Sequence, residues 1–232
     1  MKSDVISWRF LRRAGSVVLS RAAEVEVIGL ERVPDRGPVI LAVRHYHHLY
    51  DGCVLLSTIN RPAHIVVGLD WLTSRVARRA MDRLCALARW PIVLRPALPN
   101  RDPRPVALGD RRAILRRSAR DVTALLREDR MVIVFPEGYP NVDPTFTPKQ
   151  DEAFLPFEPG FLRYAKIAQR SGVGPIAIVP AGFAYERRDA GRWRITVRFG
   201  APRMVRPGDD TDALGAAIES DVIQLSAAPT PG

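Results

Sequence analysis

The sequence predicts a single α/β domain, a sandwich in which a largely parallel central sheet is flanked by helices. Three observations predict it. Short apolar runs of strand length alternate with longer segments of helical period along most of the chain. The clearest runs, at 39–43 and 131–135, are apolar at every position rather than at every second one, as in strands buried on both faces. A length of 232 residues suits one well-buried domain and is short for two.

The elements follow in order. Residues 5–25 place Trp8, Leu11, Val18 and Leu19 near one helical face with Arg9, Arg12, Arg13 and Arg21 beside it, so residues 1–24 read as an amphipathic helix preceding the main domain, 25–226. That helix fits equally an anionic membrane surface or its own domain. Residues 24–28 alternate as a strand, and turn residues lead into the buried strand 39–43. A short helix follows around 54–59, then a strand at 64–69. Residues 71–89 carry Leu72, Val76, Ala80, Leu84 and Leu87 at helical spacing, with arginines opposite. A strand at 91–94 ends at Arg95, a proline-rich loop spans 96–105, and 110–128 form a long arginine-rich helix. Strand 131–135 ends in Pro136-Glu137-Gly138. Residues 139–159 have five prolines and no period, and read as a long functional or mobile loop. A helix at 160–168, strands at 175–185 and 193–199, a helix at 209–225 and a disordered tail at 227–232 complete the chain.

No apolar run reaches the roughly 18 residues of a spanning helix, and no cleavable leader can be assembled near Met1, so the expected location is the cytoplasm. Cys53 and Cys85, without C-x-x-C spacing, fit reduced thiols rather than a disulfide or a zinc site. A formal charge of +10 implies anionic partners: phospholipid headgroups, an acidic carrier protein or nucleic acid. No helix-turn-helix, RNA-binding sheet motif or basic–aromatic stripe is present, so no nucleic-acid partner is expected.

In parallel α/β sheets, sites gather beyond the carboxyl ends of strands. Three strand ends here are polar: His45 to Asp51, Arg95, and Glu137-Gly138. Histidine can take and return a proton near neutral pH, and a carboxylate beside it fixes its tautomer. Arginine matches a phosphate bidentately, and glycine lets backbone approach a ligand. Structural roles also fit two of them, with Glu137 as a helix cap and Arg95 as an ion-pair partner. H-x-H-H lacks further ligands, so no metal is expected. No G-x-S-x-G elbow supports a serine nucleophile.

Five blocks in order, GPVILAVRH leading to Asp51, PIVLR ending in Arg95, VFPEG at 134–138, FEPGFLRYA and IVPAG, resemble the glycerolipid acyltransferases typified by bacterial 1-acyl-glycerol-3-phosphate acyltransferase. The resemblance covers about residues 25–205. It implies acyl transfer from acyl-CoA or acyl carrier protein, as co-substrate with no resident cofactor, to the hydroxyl of a lysolipid acceptor, with 1-acylglycerol-3-phosphate as the default. It further implies a peripheral enzyme on the inner face of the cell membrane, a histidine base oriented by Asp51, and Arg95, Glu137 and Gly138 holding the acceptor. The alternative is a non-catalytic lipid- or nucleic-acid-binding module on the same fold. Two departures stand out. The family's N-H-x-x-x-x-D appears as Arg44-His45 with Asp51 one residue late, so either an extra residue bulges and His45 is the base, or the work passes to His47, at i, i+4 from Asp51. The strand before His45 aligns without a gap, which favours His45. After Gly138 the family's Thr-Arg-Ser is replaced by Tyr139-Pro140-Asn141, which leaves the acceptor open.

Overall fold

The computed structural model describes residues 2–69, 72, 74–95, 108–144, 146–149, 153–188, 191–206 and 208–227. The chain runs α1 (Lys2–Ala22), β1 (Ala23–Ile28), β2 (Val39–Val43), α2 (Tyr50–Thr58), β3 (Ala63–Ile65), β4 (Val67–Gly68) and α3 (Arg75–Ala88). It continues through β5 (Ile92–Val93), α4 (Leu108–Arg127), β6 (Met131–Val134), α5 (Gly160–Arg170), β7 (Ile176–Arg187), β8 (Trp193–Phe199), β9 (Arg203–Val205) and α6 (Thr211–Ser226).

A seven-stranded sheet has the order β1-β8-β7-β2-β6-β3, with β9 also on β7. Strands β7, β2, β6 and β3 are parallel, whereas β8 and β9 run antiparallel to β7, and β1 pairs parallel with β8. The sheet is therefore mixed, with its parallel part around β2. Apolar residues alternate between two layers: Val39, Leu41 and Val43 join the layer that holds Leu19, Leu55 and Ile59 of the α1–α2 side, while Ile40 and Ala42 join the one holding Leu125, Phe161 and Ile218 of α4, α5 and α6. Burial on both faces is what the unbroken apolar run of β2 encodes.

Pro180 and Gly182 have positional reasons. β9 pairs with β7 as far as Ile178 and β8 begins at Ala181, so the missing donor of Pro180 falls where the partner strand changes. A Cβ on Gly182 would collide with the Leu225 carbonyl carbon, because the end of α6 presses directly on β7.

The apolar run expected as one strand at 64–69 is two. The Val66 N–H still bonds the Ile133 carbonyl of β6, but the Val67 N–H turns to Pro91, so β4 leaves the main sheet and pairs with β5. Arg95 consequently extends from this small two-stranded sheet and not from the central one. β9, three residues with two exposed, carries too short a pattern to be read from sequence. Helix α3 begins at Arg75, where the Ser74 hydroxyl accepts from the Ala77 N–H at 3.4 Å. Val76 and Leu87, expected to be buried, are exposed. The proline-rich segment and the end of the chain fall outside the described residues.

Candidate active site

β2 ends at Val43, and the first residue beyond the ladder, Arg44, still donates its N–H to Ala181. His45 comes next. Asp51 lies in the first turn of α2 with its carboxylate turned back towards that strand end. Oδ2 accepts from His45 Nδ1 at 3.0 Å and from the backbone N–H groups of Tyr46 at 2.7 Å and His47 at 3.0 Å. Oδ1 accepts from the Tyr185 hydroxyl at 2.5 Å. Asp51 is fully buried, and four donors around one group is what a carboxylate, accepting at every lone pair, accommodates. A carboxylate facing Nδ1 makes Nδ1 the protonated nitrogen and leaves Nε2 as the proton acceptor. The ring is held flat against Phe135 at 4.3 Å between centroids.

The late position of Asp51 is absorbed between the two residues. Tyr46 C=O accepts from Val142 N–H at 2.7 Å and His48 N–H donates to Val142 C=O at 3.1 Å, so residues 46–48 loop out and are pinned by the 139–159 segment. The geometry joins His45, not His47, to Asp51 through the imidazole.

His47 faces another task. Its Nδ1 accepts from the N–H groups of Leu49 at 3.3 Å and Tyr50 at 3.4 Å, capping a helix whose own N-cap, Leu49, has no side-chain acceptor. It stacks on Tyr50 and is buried; burial first, then His48, pushes its imidazole down to about 4, with Asp51 opposing and His45 and Arg187 adding to the fall. The unfolded chain takes up this proton near the ordinary value of about 6.5 and the folded chain does not until about 4. The contribution of His47 to stability is therefore complete above about pH 6.5 and is lost as pH falls towards 4. His47→Asn keeps an acceptor for the cap but cannot titrate. Urea unfolding of this variant across that window is expected to show a flatter acid limb than the wild type.

Glu137 and Gly138 follow β6 in a turn where Gly138 has φ +74° and donates its N–H to Phe135 at 3.0 Å. That N–H is thus spent within the turn and is not turned to a ligand. The Glu137 carboxylate is buried, accepting from the His45 N–H at 2.8 Å, from the Leu155 N–H at 3.1 Å, and from Lys149. It caps no helix. Burial pushes the Lys149 ammonium down, with Glu137 opposing. Arg44, directly before His45, turns away to the carbonyls of Phe183 at 2.9 Å and Ala153 at 3.2 Å, and stacks on Phe154.

His45, His48, Arg95 and Gly138 line one cavity of about 640 Å³. Its walls are largely apolar, with Leu11 and Val18 of α1, Leu56 of α2, and Met81 and Leu84 of α3. Its polar lining includes Arg95, Asp143, Arg111 and Arg163. Arg95 stacks over Tyr139 at 4.4 Å and lies 4.0 Å from Asp143. Cys53 also lines it, but burial and then Asp51 push its thiol up to about 11, so it is a poor nucleophile at neutral pH. Among the described residues no cluster of three or more metal-ligating side chains exists. Sequence reasoning missed Tyr185, Lys149 and Phe135, whose partners are distant in the chain and whose residue types carry no motif.

The Acyltransferase family matches residues 24–184 of the chain. No curated protein matches it. Among solved structures, the 1-acyl-sn-glycerophosphate (LPA) acyltransferase PlsC from Thermotoga maritima has a similar fold, with a TM-score of 0.59 at 18% identity over 94% of this chain and 77% of that one.

Proposed function

The chain belongs to the Acyltransferase family, and on that premise we propose that it transfers a fatty acyl group from acyl-CoA or acyl carrier protein to a lysophospholipid-like hydroxyl, by default that of 1-acylglycerol-3-phosphate. The observation that carries the reading is the His45–Asp51 hydrogen bond of 3.0 Å at the wall of a cavity that is apolar along α1, α2 and α3 and cationic at Arg95, Arg111 and Arg163. An acyl chain suits the first part, an anionic headgroup the second.

In the proposed reaction His45 Nε2 takes the acceptor's hydroxyl proton as the oxygen attacks the thioester carbonyl. The tetrahedral intermediate collapses with cleavage of the carbon–sulfur bond, and the imidazolium returns its proton to the departing sulfur. No group of the enzyme is acylated. Asp51 holds the imidazole and stabilises its charged form. Arg95 holds the acceptor's anionic group, and Gly138 keeps the adjoining wall free of a side chain.

The enzyme is proposed to work on the cytoplasmic face of the membrane, where both thioester donors occur. α1 turns Ile6, Phe10 and Val17 outwards among Arg9, Arg13 and Arg21, and α3 exposes Val76 and Leu87 among its arginines. Apolar side chains ringed by arginine suit an anionic leaflet, and both helices also line the cavity an acceptor would enter. No helix among the described residues is long and apolar enough to cross a membrane.

The test is a panel of lysolipids offered with either thioester donor, with products identified by mass spectrometry. Acylated product from at least one acceptor is expected; folded protein that acylates none contradicts the reading and favours a binding module. In flotation with vesicles containing phosphatidylglycerol, Ile6→Asp/Phe10→Asp is expected to lower binding about tenfold or more, whereas neutral vesicles bind neither form appreciably. Equal flotation of the variant would remove α1 from the interface.

A further inference from the structure

We propose that Lys149 is a positioning residue for His45, acting with Glu137 as a clamp on the two peptide groups that flank the histidine Cα. The inference rests on the acyltransferase reading for its kinetic consequence, though not for its geometry.

His45 stands where the strand ladder has stopped. Arg44 makes the last bond to β7, so the N–H and C=O of His45 have no strand partner, and buried backbone groups need one. Side chains supply both. Glu137 Oε1 accepts the His45 N–H at 2.8 Å, and Lys149 Nζ donates to the His45 carbonyl at 3.0 Å. Lys149 and Glu137 pair with each other, both side chains completely buried, which closes a ring through the His45 Cα. Fixing those two groups fixes φ and ψ of His45, and with them the direction from which its ring meets Asp51 on one side and the cavity on the other.

A buried ion pair adds little net stability compared with apolar residues of the same volume. What it supplies here is directional, a donor and an acceptor at set places. The clamp is itself anchored in the 139–159 segment. Lys149 Nζ also donates to Asn141 Oδ1 at 3.4 Å, the Lys149 N–H is held by Thr147 Oγ1 at 3.1 Å, and the Leu155 N–H bonds the second Glu137 oxygen at 3.1 Å. The same segment provides Asp143 beside Arg95 and Val142 against the 46–48 loop. A stretch that reads in sequence as an unpatterned loop thus carries the scaffold of the proposed base.

The test uses the full chain in five forms, wild type, Lys149→Met, Glu137→Gln/Lys149→Met, His45→Ala, and the double change combined with His45→Ala. Lys149→Met alone leaves a buried carboxylate without its partner and is prone to unfold; the double change is neutral at both positions and carries the test if the single one fails. For the folded double variant kcat is expected to fall about 100-fold, as a misplacement near 1 Å does, with KM for donor and acceptor within about threefold. In the His45→Ala background the same double change is expected to lower the residual rate no further, because its effect passes through His45. Hydrogen exchange provides a readout that needs no turnover. The His45 amide is expected to exchange at least tenfold faster in the double variant, while the β2 amides stay protected. A folded double variant with wild-type kcat, an equal further loss in the His45→Ala background, or an unchanged His45 amide each overturns the clamp. Wild-type protein without acyl transfer overturns the proposed function, and amide exchange then decides the clamp by itself.

Discussion

Replacing His45 with alanine is expected to lower acceptor-dependent acyl transfer roughly 1,000-fold, the middle of the range for a lost general base. The acceptor hydroxyl is a poor nucleophile until its proton has somewhere to go, and among the histidines only His45 combines a cavity position with an imidazole bond to a carboxylate. The change should leave KM for the donor within about threefold, because the apolar walls from α1, α2 and α3 are untouched. The fold should survive it as well. Asp51 keeps three of its four donors, from Tyr46, His47 and Tyr185, and the clamped backbone of His45 does not depend on the ring. Steady-state kinetics and thermal unfolding of the same preparation check both statements; a kcat near that of the wild type would remove His45 from the chemistry.

Asp51→Asn is expected to cost about 1,000-fold in kcat with the fold intact, whereas Asp51→Ala should lose both activity and stability. The difference follows from the donors. An asparagine oxygen placed at the Oδ2 position still accepts from His45, Tyr46 and His47, and its amide can donate to Tyr185, whose hydroxyl rotates to accept. The tautomer of His45 is then kept, but the negative charge that stabilises the imidazolium is gone. Alanine instead strands two backbone N–H groups and a phenol without an acceptor in a fully buried site. At about 1–3 kcal/mol for each orphaned group, a loss of several kcal/mol is expected in urea unfolding. Asn at wild-type kcat would mean that the charge at Asp51 plays no part.

Much of the fold and part of the site were legible because the relevant signals are local. An unbroken apolar run gives β2 and β6, and the length of β2 places His45 at its end. The same counting leaves the one-residue delay of Asp51 ambiguous. Val142, a partner nearly a hundred positions away, holds residues 46–48 out as a loop between His45 and Asp51, which no local pattern announces. His47 stays a candidate base in sequence beside His45, since a helix-capping imidazole and a base are the same residue type. Arg95 and Glu137 were legible as polar strand ends, but their surroundings were not. Arg95 follows a strand of the small sheet, and Glu137 faces the backbone of His45. Tyr185 and Lys149 reach the site from 134 and 104 residues away, through contacts that no periodicity announces. The strand-length run at 64–69 failed as one element for a related reason, because Val67 exchanges β6 for Pro91 and only tertiary structure decides that.

In the proposed reaction His45, oriented by Asp51, activates an acceptor hydroxyl for direct attack on a thioester. Thiol release from acyl-CoA and from acyl carrier protein, measured with and without lysolipid for wild type, His45→Ala, His47→Ala and Asp51→Asn, tests it most directly. Release is expected to depend on the acceptor in wild type and His47→Ala, and to be lost in His45→Ala and Asp51→Asn. Acceptor-dependent release that survives in His45→Ala and disappears in His47→Ala would contradict it.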